Sequence, residues 1–99
     1  IKQIKVAIIA CDESHKITMV NPESETLLAM SESKLIHKTL SDLSLSKLES
    51  IKSNSIESLT LGSRNARWHI FKDGFREQGT QHTLYILSDM DLLLSQQEQ

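Results

Sequence analysis

Cysteine occurs once in the 99 residues, at Cys11. A lone thiol can close no intrachain disulfide and build no thiolate metal cage, so a reducing compartment is allowed. Glycine is almost as scarce, with three residues, and none sits in a spaced cluster that could cradle a phosphate. Proline occurs once, at Pro22. The longest apolar run near the start, Val6 to Cys11, is too short for a signal-peptide core and far below the roughly 20 residues of a membrane span. The chain by itself is expected to insert into no membrane, and an anchor of a larger parent would lie outside it. Neither sign of charge dominates: 11 Lys and Arg face 13 Asp and Glu, interspersed, for a net charge of −2. Such a balance draws in neither phosphate backbones nor anionic lipid, and nucleic acid is not an expected partner. No nucleophile elbow, P-loop or catalytic dyad spacing occurs, so no catalytic residue is assigned.

What is present is an ordinary globular balance, 38% hydrophobic and 24% charged, which predicts a folded chain with one core. The β-branched run Ile4–Cys11 predicts a strand entering the polar turn Asp12-Glu13-Ser14-His15-Lys16, and Ile17–Val20 predicts a second strand pairing with it as a hairpin. Asn21 is placed to cap a helix beginning at Pro22, where the missing N–H costs nothing, with Glu23 and Glu25 at the favourable end of the dipole. That helix ends near Ala29 or Met30. Ser31 opens a further short helix with an incomplete capping box, since Lys34 stands where Glu would complete it. Leu43, Leu45, Leu48 and Ile51 continue at helical spacing through about Ser41–Lys52, diluted by serines that compete for backbone hydrogen bonds and predict irregularity. Ile56–Leu61 alternates with period two, Gly62–Asn65 is turn-like, and Ala66–Lys72 and His82–Ser88 read as strands, with Asp73-Gly74 and Gln78-Gly79 bracketing their connection. From Met90 onward the spacing returns to helical, with Met90, Leu93, Leu94 and Gln97 as a stripe. The order predicts an α+β fold, an antiparallel sheet of five strands with helices inserted between the second and third.

These landmarks, in this order, resemble a PAS domain, the sensor module of signalling proteins. The resemblance is carried by the apolar first strand, Asp12-Glu13 in the turn, Val20-Asn21-Pro22, Leu27-Leu28, Met30-Ser31-Glu32, Leu35-Ile36 and Lys38-Thr39-Leu40. Ser88-Asp89-Met90-Asp91 is similar to the Asp-Ile-Thr signature at which a PAS core hands over to its output helix. His15, Ala29 and His37 stand where the family usually has Gly, and Asp91 replaces the signature Thr. The resemblance implies a PAS domain over residues 1–89 and the start of a signalling helix or linker over 90–99. It is nearest to the modules that precede the dimerisation helices of bacterial sensor histidine kinases of the nitrogen-regulation type. By that resemblance Asp89 is the signal-relay residue, and the expected partners are a second copy of the chain and the downstream kinase domains, in the cytoplasm.

Candidate chemistry is sparse. His15, His37, His69 and His82 are followed by Lys, Lys, Ile and Thr, not by the acidic residue usual after a phospho-acceptor histidine, and only His69 and His82 are candidates to meet across strands; no metal site is expected. His37 is the one position comparable to a haem-ligating histidine of PAS relatives, but one histidine specifies no haem pocket. Arg64-Asn65-Ala66-Arg67-Trp68 echoes the flavin-attaching motif of light-sensing relatives, but Ala66 has no thiol and covalent flavin is not expected. Cys11 reads as a small buried hydrophobe. Both faces of the last strands carry apolar mass, with Trp68 and Ile70 opposite His69 and Phe71, and Leu84 and Ile86 opposite Tyr85 and Leu87. One face needs a cover beyond the domain's own helices. The alternative to a dimerisation and relay module is a small-ligand sensor, whose pocket would be lined by Ile8, Met19, Leu28, Leu35, Trp68, Ile70 and Ile86.

Overall fold

A computed structural model describes residues 5–97, with side chains through Ser95 at the C-terminal end. Five strands, β1 (Ala7–Cys11), β2 (Ile17–Val20), β3 (Ser55–Leu61), β4 (Arg64–Glu77) and β5 (Thr80–Asp89), form one sheet in the order β2-β1-β5-β4-β3. Every neighbouring pair is antiparallel. Between β2 and β3 the chain forms α1 (Pro22–Leu28), the short turn α2 (Glu32–Leu35), a 3₁₀ turn at Ser41–Leu43 and the single turn α3 (Lys47–Ser50), and α4 (Met90–Gln97) follows β5.

The register fixes which side chains share a face. Ile70 pairs with Leu87 and Leu87 with Ala7, while Lys72 pairs with Tyr85 and Tyr85 with Ile9. Directly opposed residues project to the same side, so Ala7, Ile9, Trp68, Ile70, Tyr85 and Leu87 form the inner face. All are buried, and Leu35, Leu40, Leu45 and Leu48 from the helical segment complete the core. This is where serine dilution is tolerated: the leucines of 40–48 face inward and the serines between them stay exposed. The irregularity expected over Ser41–Lys52 takes the form of a 3₁₀ turn and a single helical turn with a break between them. Ser44 adopts a left-handed φ of 59° that ends the 3₁₀ turn, and Leu45 N bonds back to Leu40 O at 2.8 Å.

Two further boundaries differ from the sequence reading. Asp73-Gly74 lies inside β4, paired with Leu84 and Thr83, and does not begin a connection. The turn falls on Gln78-Gly79 alone, both at positive φ (51° and 78°), the backbone a two-residue type I′ hairpin demands. Phe75–Glu77 and Thr80–His82 therefore extend beyond β1 and β3 as a two-stranded ribbon. At the other hairpin, Gly62 (φ 60°) presses against α1: an added Cβ would lie 2.2 Å from the Leu27 carbonyl oxygen.

The three residues standing where the pattern this sequence resembles has Gly all take left-handed φ, 63° at His15, 54° at Ala29 and 75° at His37. The turn at His15 closes nonetheless, because Asp12 Oδ1 accepts from Ser14 N and Lys16 N at 2.9 and 3.0 Å. Ala29 ends α1 with its N–H on Thr26 O and the Met30 N–H on Glu25 O, the 5→2 and 6→1 bonds of a Schellman end.

Candidate functional site

The junction of β5 and α4 gathers the strongest charged contacts among the described residues. Asp89 is the last residue of β5. Its Oδ2 accepts from Arg64 Nε at 2.7 Å, and its Oδ1 accepts from Leu92 N at 2.9 Å, in the first turn of α4. One carboxylate thus joins the start of β4 to the start of the helix, and its hydrogen bonds hold the Arg64 guanidinium more firmly protonated. Two residues on, Asp91 accepts from Arg67 Nε at 2.6 Å and from Arg67 N at 3.1 Å. Those two bonds hold the Asp91 carboxyl below its usual range. Asp91, which replaces the signature Thr, is therefore a second tie from α4 to β4. Nothing in the linear spacing pairs Arg64 and Arg67 with residues some two dozen positions later; the β4–β5 register does.

At the other end of the domain's wiring, Asn21 does more than cap α1. Its Oδ1 accepts from Ser24 N at 3.0 Å and from Ile8 N at 2.9 Å, while its Nδ2 donates to Val6 O at 2.8 Å. Buried Ser24 adds a bond from Oγ to Ile8 O at 2.8 Å. This pair rivets α1 to β1. Ser31 makes no side-chain cap on α2; Glu25, reaching from α1, accepts from Glu32 N at 2.8 Å in its place.

The residues predicted to line one pocket do not converge. Trp68 and Ile70 lie on the inner face and Leu35 packs in the core there, with Leu28 partly buried against it. Ile8 pairs with Ile86, and Met19 with Ala10, on the opposite face. Period two separates alternate residues within each strand, but which set of each strand meets the helices depends on inter-strand register, which spacing does not carry. Leu35 and Ile70 are moreover fully buried in packed core. The second cover expected for the sheet thus concerns the outer face, where Met19 is 41% and Ile56 57% exposed.

His69 and His82 do not meet. His69 pairs with Ser88, so the two lie six residues apart along β5, about 20 Å. His82 is buried, stacked on Phe75 at 5.2 Å between centroids. Among the described residues no three His, Cys, Asp or Glu side chains converge as a metal site would need. His37, exposed at its left-handed turn, fills a backbone position. Cys11 is buried, and desolvation, with Asp12 and Glu49 nearby, pushes its thiol up to about 12.

Two of the clefts among the described residues border the inner layer. One of about 570 Å³ lies between the serine-rich α3 segment and β3, lined by Ser44, Ser46, Lys47, Ser58 and Thr60 among others. The other, about 400 Å³, lies under α1 beside the β5–α4 junction and includes Leu27, Arg64, Trp68, Leu87, Asp89 and Leu92. Of the residues named for a pocket, Trp68 alone is among those lining this cleft. Lys72, unremarked in the sequence, donates from Nζ to Glu49 O at 3.0 Å and Ile51 O at 2.7 Å, tying β4 to the end of α3. No described helix is long and apolar enough to cross a membrane.

No protein-family model matches the sequence and no curated protein is detectably similar to it. Solved structures do match. The PAS domain of nitrogen regulation protein NR(II) from Vibrio parahaemolyticus superimposes with a TM-score of 0.63 at 20% identity, covering 85% of this chain and 88% of that one. A domain of an HTR-like protein from Haloarcula marismortui gives 0.59 at 13% identity, covering 86% and 97%. The E. coli DhaR(N)–DhaL complex also gives 0.59, at 9% identity, with 88% of this chain matched to 32% of that one. With the sheet order, the intervening short helices and the Asp89 junction, these likenesses make the chain a PAS fold.

Proposed function

We propose that the chain is a non-catalytic signalling module whose output passes through the β5–α4 junction, within a cytoplasmic sensor histidine kinase. The observation that carries this reading is the double engagement of Asp89: the carboxylate that caps α4 also holds Arg64 at the root of β4. A shift of β4 against β5 therefore pulls on the first turn of the helix. An isolated helix of eight residues is not stable in water, so α4 depends on these ties and on whatever continues or pairs with it. The likeness to an NR(II) PAS domain supports the kinase context, as does the Ser88–Asp91 signature.

The same reading assigns the outer face to a second copy of the chain. Exposed Met19 and Ile56, with partly buried Ile8, Phe71, Leu84 and Ile86, supply apolar area that the domain's helices leave uncovered. Two measurements test the proposal. In the full-length kinase, Asp89→Ala is expected to change phosphotransfer and its response to stimulus, while Glu57→Ala, on the exposed edge strand, is expected to change neither; unaltered kinase output in the Asp89 variant refutes the relay. Native mass spectrometry of the chain is expected to show a concentration-dependent dimer that Met19→Glu with Ile56→Glu abolishes. A dimer indifferent to both changes places the contact elsewhere.

A further inference from the structure

The β5–α4 junction is fastened from both faces of β4. Arg64 pairs with buried Leu61 on β3, and Ala66 and Trp68 after it are buried, so Arg64 begins the inner-face series of its strand. Arg67 pairs with exposed Ser58 and belongs to the outer series. Asp89, opposite Trp68 in the last rung of the β4–β5 ladder, accepts from Arg64 Nε at 2.7 Å and from Leu92 N at 2.9 Å. One Asp91 oxygen accepts from Arg67 Nε at 2.6 Å, and the other accepts from the Arg67 main-chain N–H at 3.1 Å, one residue beyond that last rung. Asp91 thereby ties α4 to an outer-face side chain and to the backbone of β4 together.

Fastenings on opposite sides of one strand pull against each other. When the outer one is cut, the inner one alone remains, and α4 leans toward α1, whose Leu27 lines the same cleft as Leu92. When the inner one is cut, Asp91 draws the helix toward the outer face. The two are unequally sheltered: the Asp89 side chain is 12% exposed and that of Asp91 38%. Water and salt therefore weaken the outer pair first. A helix of eight residues has too little stability of its own to resist either pull.

We propose that Asp91 is a positioning residue, which with Arg67 opposes the Asp89–Arg64 fastening and so sets the angle at which α4 leaves the sheet. Its effect on output rests on the proposed relay; its effect on the helix does not. Output that follows the angle gives the two carboxylates opposite signs. Two ties that merely stabilised the helix would act with the same sign, since cutting either would cost the same contacts.

The test compares Asp91→Ala with Asp89→Ala in two settings. In the 99-residue chain, nuclear Overhauser contacts between the Leu92 and Leu27 methyl groups are expected to strengthen about two- to fivefold in Asp91→Ala, the change open to one exposed charge pair. The same contacts are expected to weaken in Asp89→Ala. Arg67→Gln is expected to reproduce the Asp91→Ala change, and combining those two substitutions to add nothing further, as for partners in one interaction. In the full-length kinase, phosphotransfer is expected to move in opposite directions in the Asp91 and Asp89 variants. Leu92–Leu27 contacts that weaken or stay unchanged in Asp91→Ala overturn the assignment whatever the kinase does, and so do additive effects of Arg67→Gln and Asp91→Ala. Opposite movements of the helix with unchanged phosphotransfer in both variants uphold the positioning role and sink the relay alone.

Discussion

At the residue scale, single side chains serve two elements at once, and this sets the size of their effects. Asn21 read from the sequence is an N-cap, whose loss costs about 0.5–2 kcal/mol. In the fold it also accepts from Ile8 N and donates to Val6 O, so Asn21→Ala leaves backbone groups of β1 unpaired as well. We expect about 2–3 kcal/mol from Asn21→Ala, and a smaller loss from Asn21→Ser, which keeps a capping oxygen; urea denaturation of the three proteins checks the order. Ala29 offers the opposite case. It is exposed, left-handed at φ 54°, and its side chain contributes nothing to the Schellman end it closes. A non-glycine residue there carries about 1–2 kcal/mol of conformational strain, partly offset by glycine's greater freedom in the unfolded chain. Ala29→Gly is therefore expected to raise the denaturation midpoint, and a fall would show that the left-handed turn is not held in solution. Cys11 makes a third prediction: with its thiol pushed up to about 12 by burial, it should react with thiol reagents only as fast as the domain opens, and promptly once denatured.

At the scale of elements, the tie between α4 and β4 is titratable. Arg67 holds the Asp91 carboxyl below its ordinary value. A depressed carboxylate contributes stability that is complete above its unfolded value, near pH 4, and that disappears as pH falls through the folded value. Amide exchange in α4 is thus expected to accelerate as the solution is acidified below about pH 4, before the exchange of β1 and β5 at the sheet's centre changes. Arg67→Gln should make those α4 amides fast at neutral pH and flatten their acid dependence. If the helix protects its amides equally in both proteins, Asp91 is ornamental to the junction. Gly62 acts on another contact between elements: Gly62→Ala would set a methyl against the Leu27 carbonyl at a strained φ, and separation of the β3–β4 turn from α1 would open the Trp68 cleft.

At the scale of the whole molecule, the inner face is closed by the domain's own leucines and the outer face is not. The long β4–β5 hairpin carries both surfaces, so one element connects the core, the junction and the uncovered face. On the proposed non-catalytic reading, the chain incubated with radiolabelled ATP is expected to acquire no acid-labile phosphate. Labelling that disappears with a substitution at His15, His37, His69 or His82 would refute that reading.

What the sequence by itself determined was local. The N-cap and proline at the start of α1 and the period-two strands depend on interactions within a few residues, and spacing records those directly. The strand order β2-β1-β5-β4-β3 and the register decided the rest. They put Ile8, Met19 and Ile86 on the face away from Trp68, parted His69 from His82, and brought Arg64 and Arg67 to Asp89 and Asp91. A one-residue change of register would exchange the two faces of a strand, and nothing in a strand's own alternation says which face will meet the helices. The serine-rich stretch was undecided for a related reason: its weak local preference yields to wherever Leu40, Leu45 and Leu48 can be buried, and only the packed core supplies that answer.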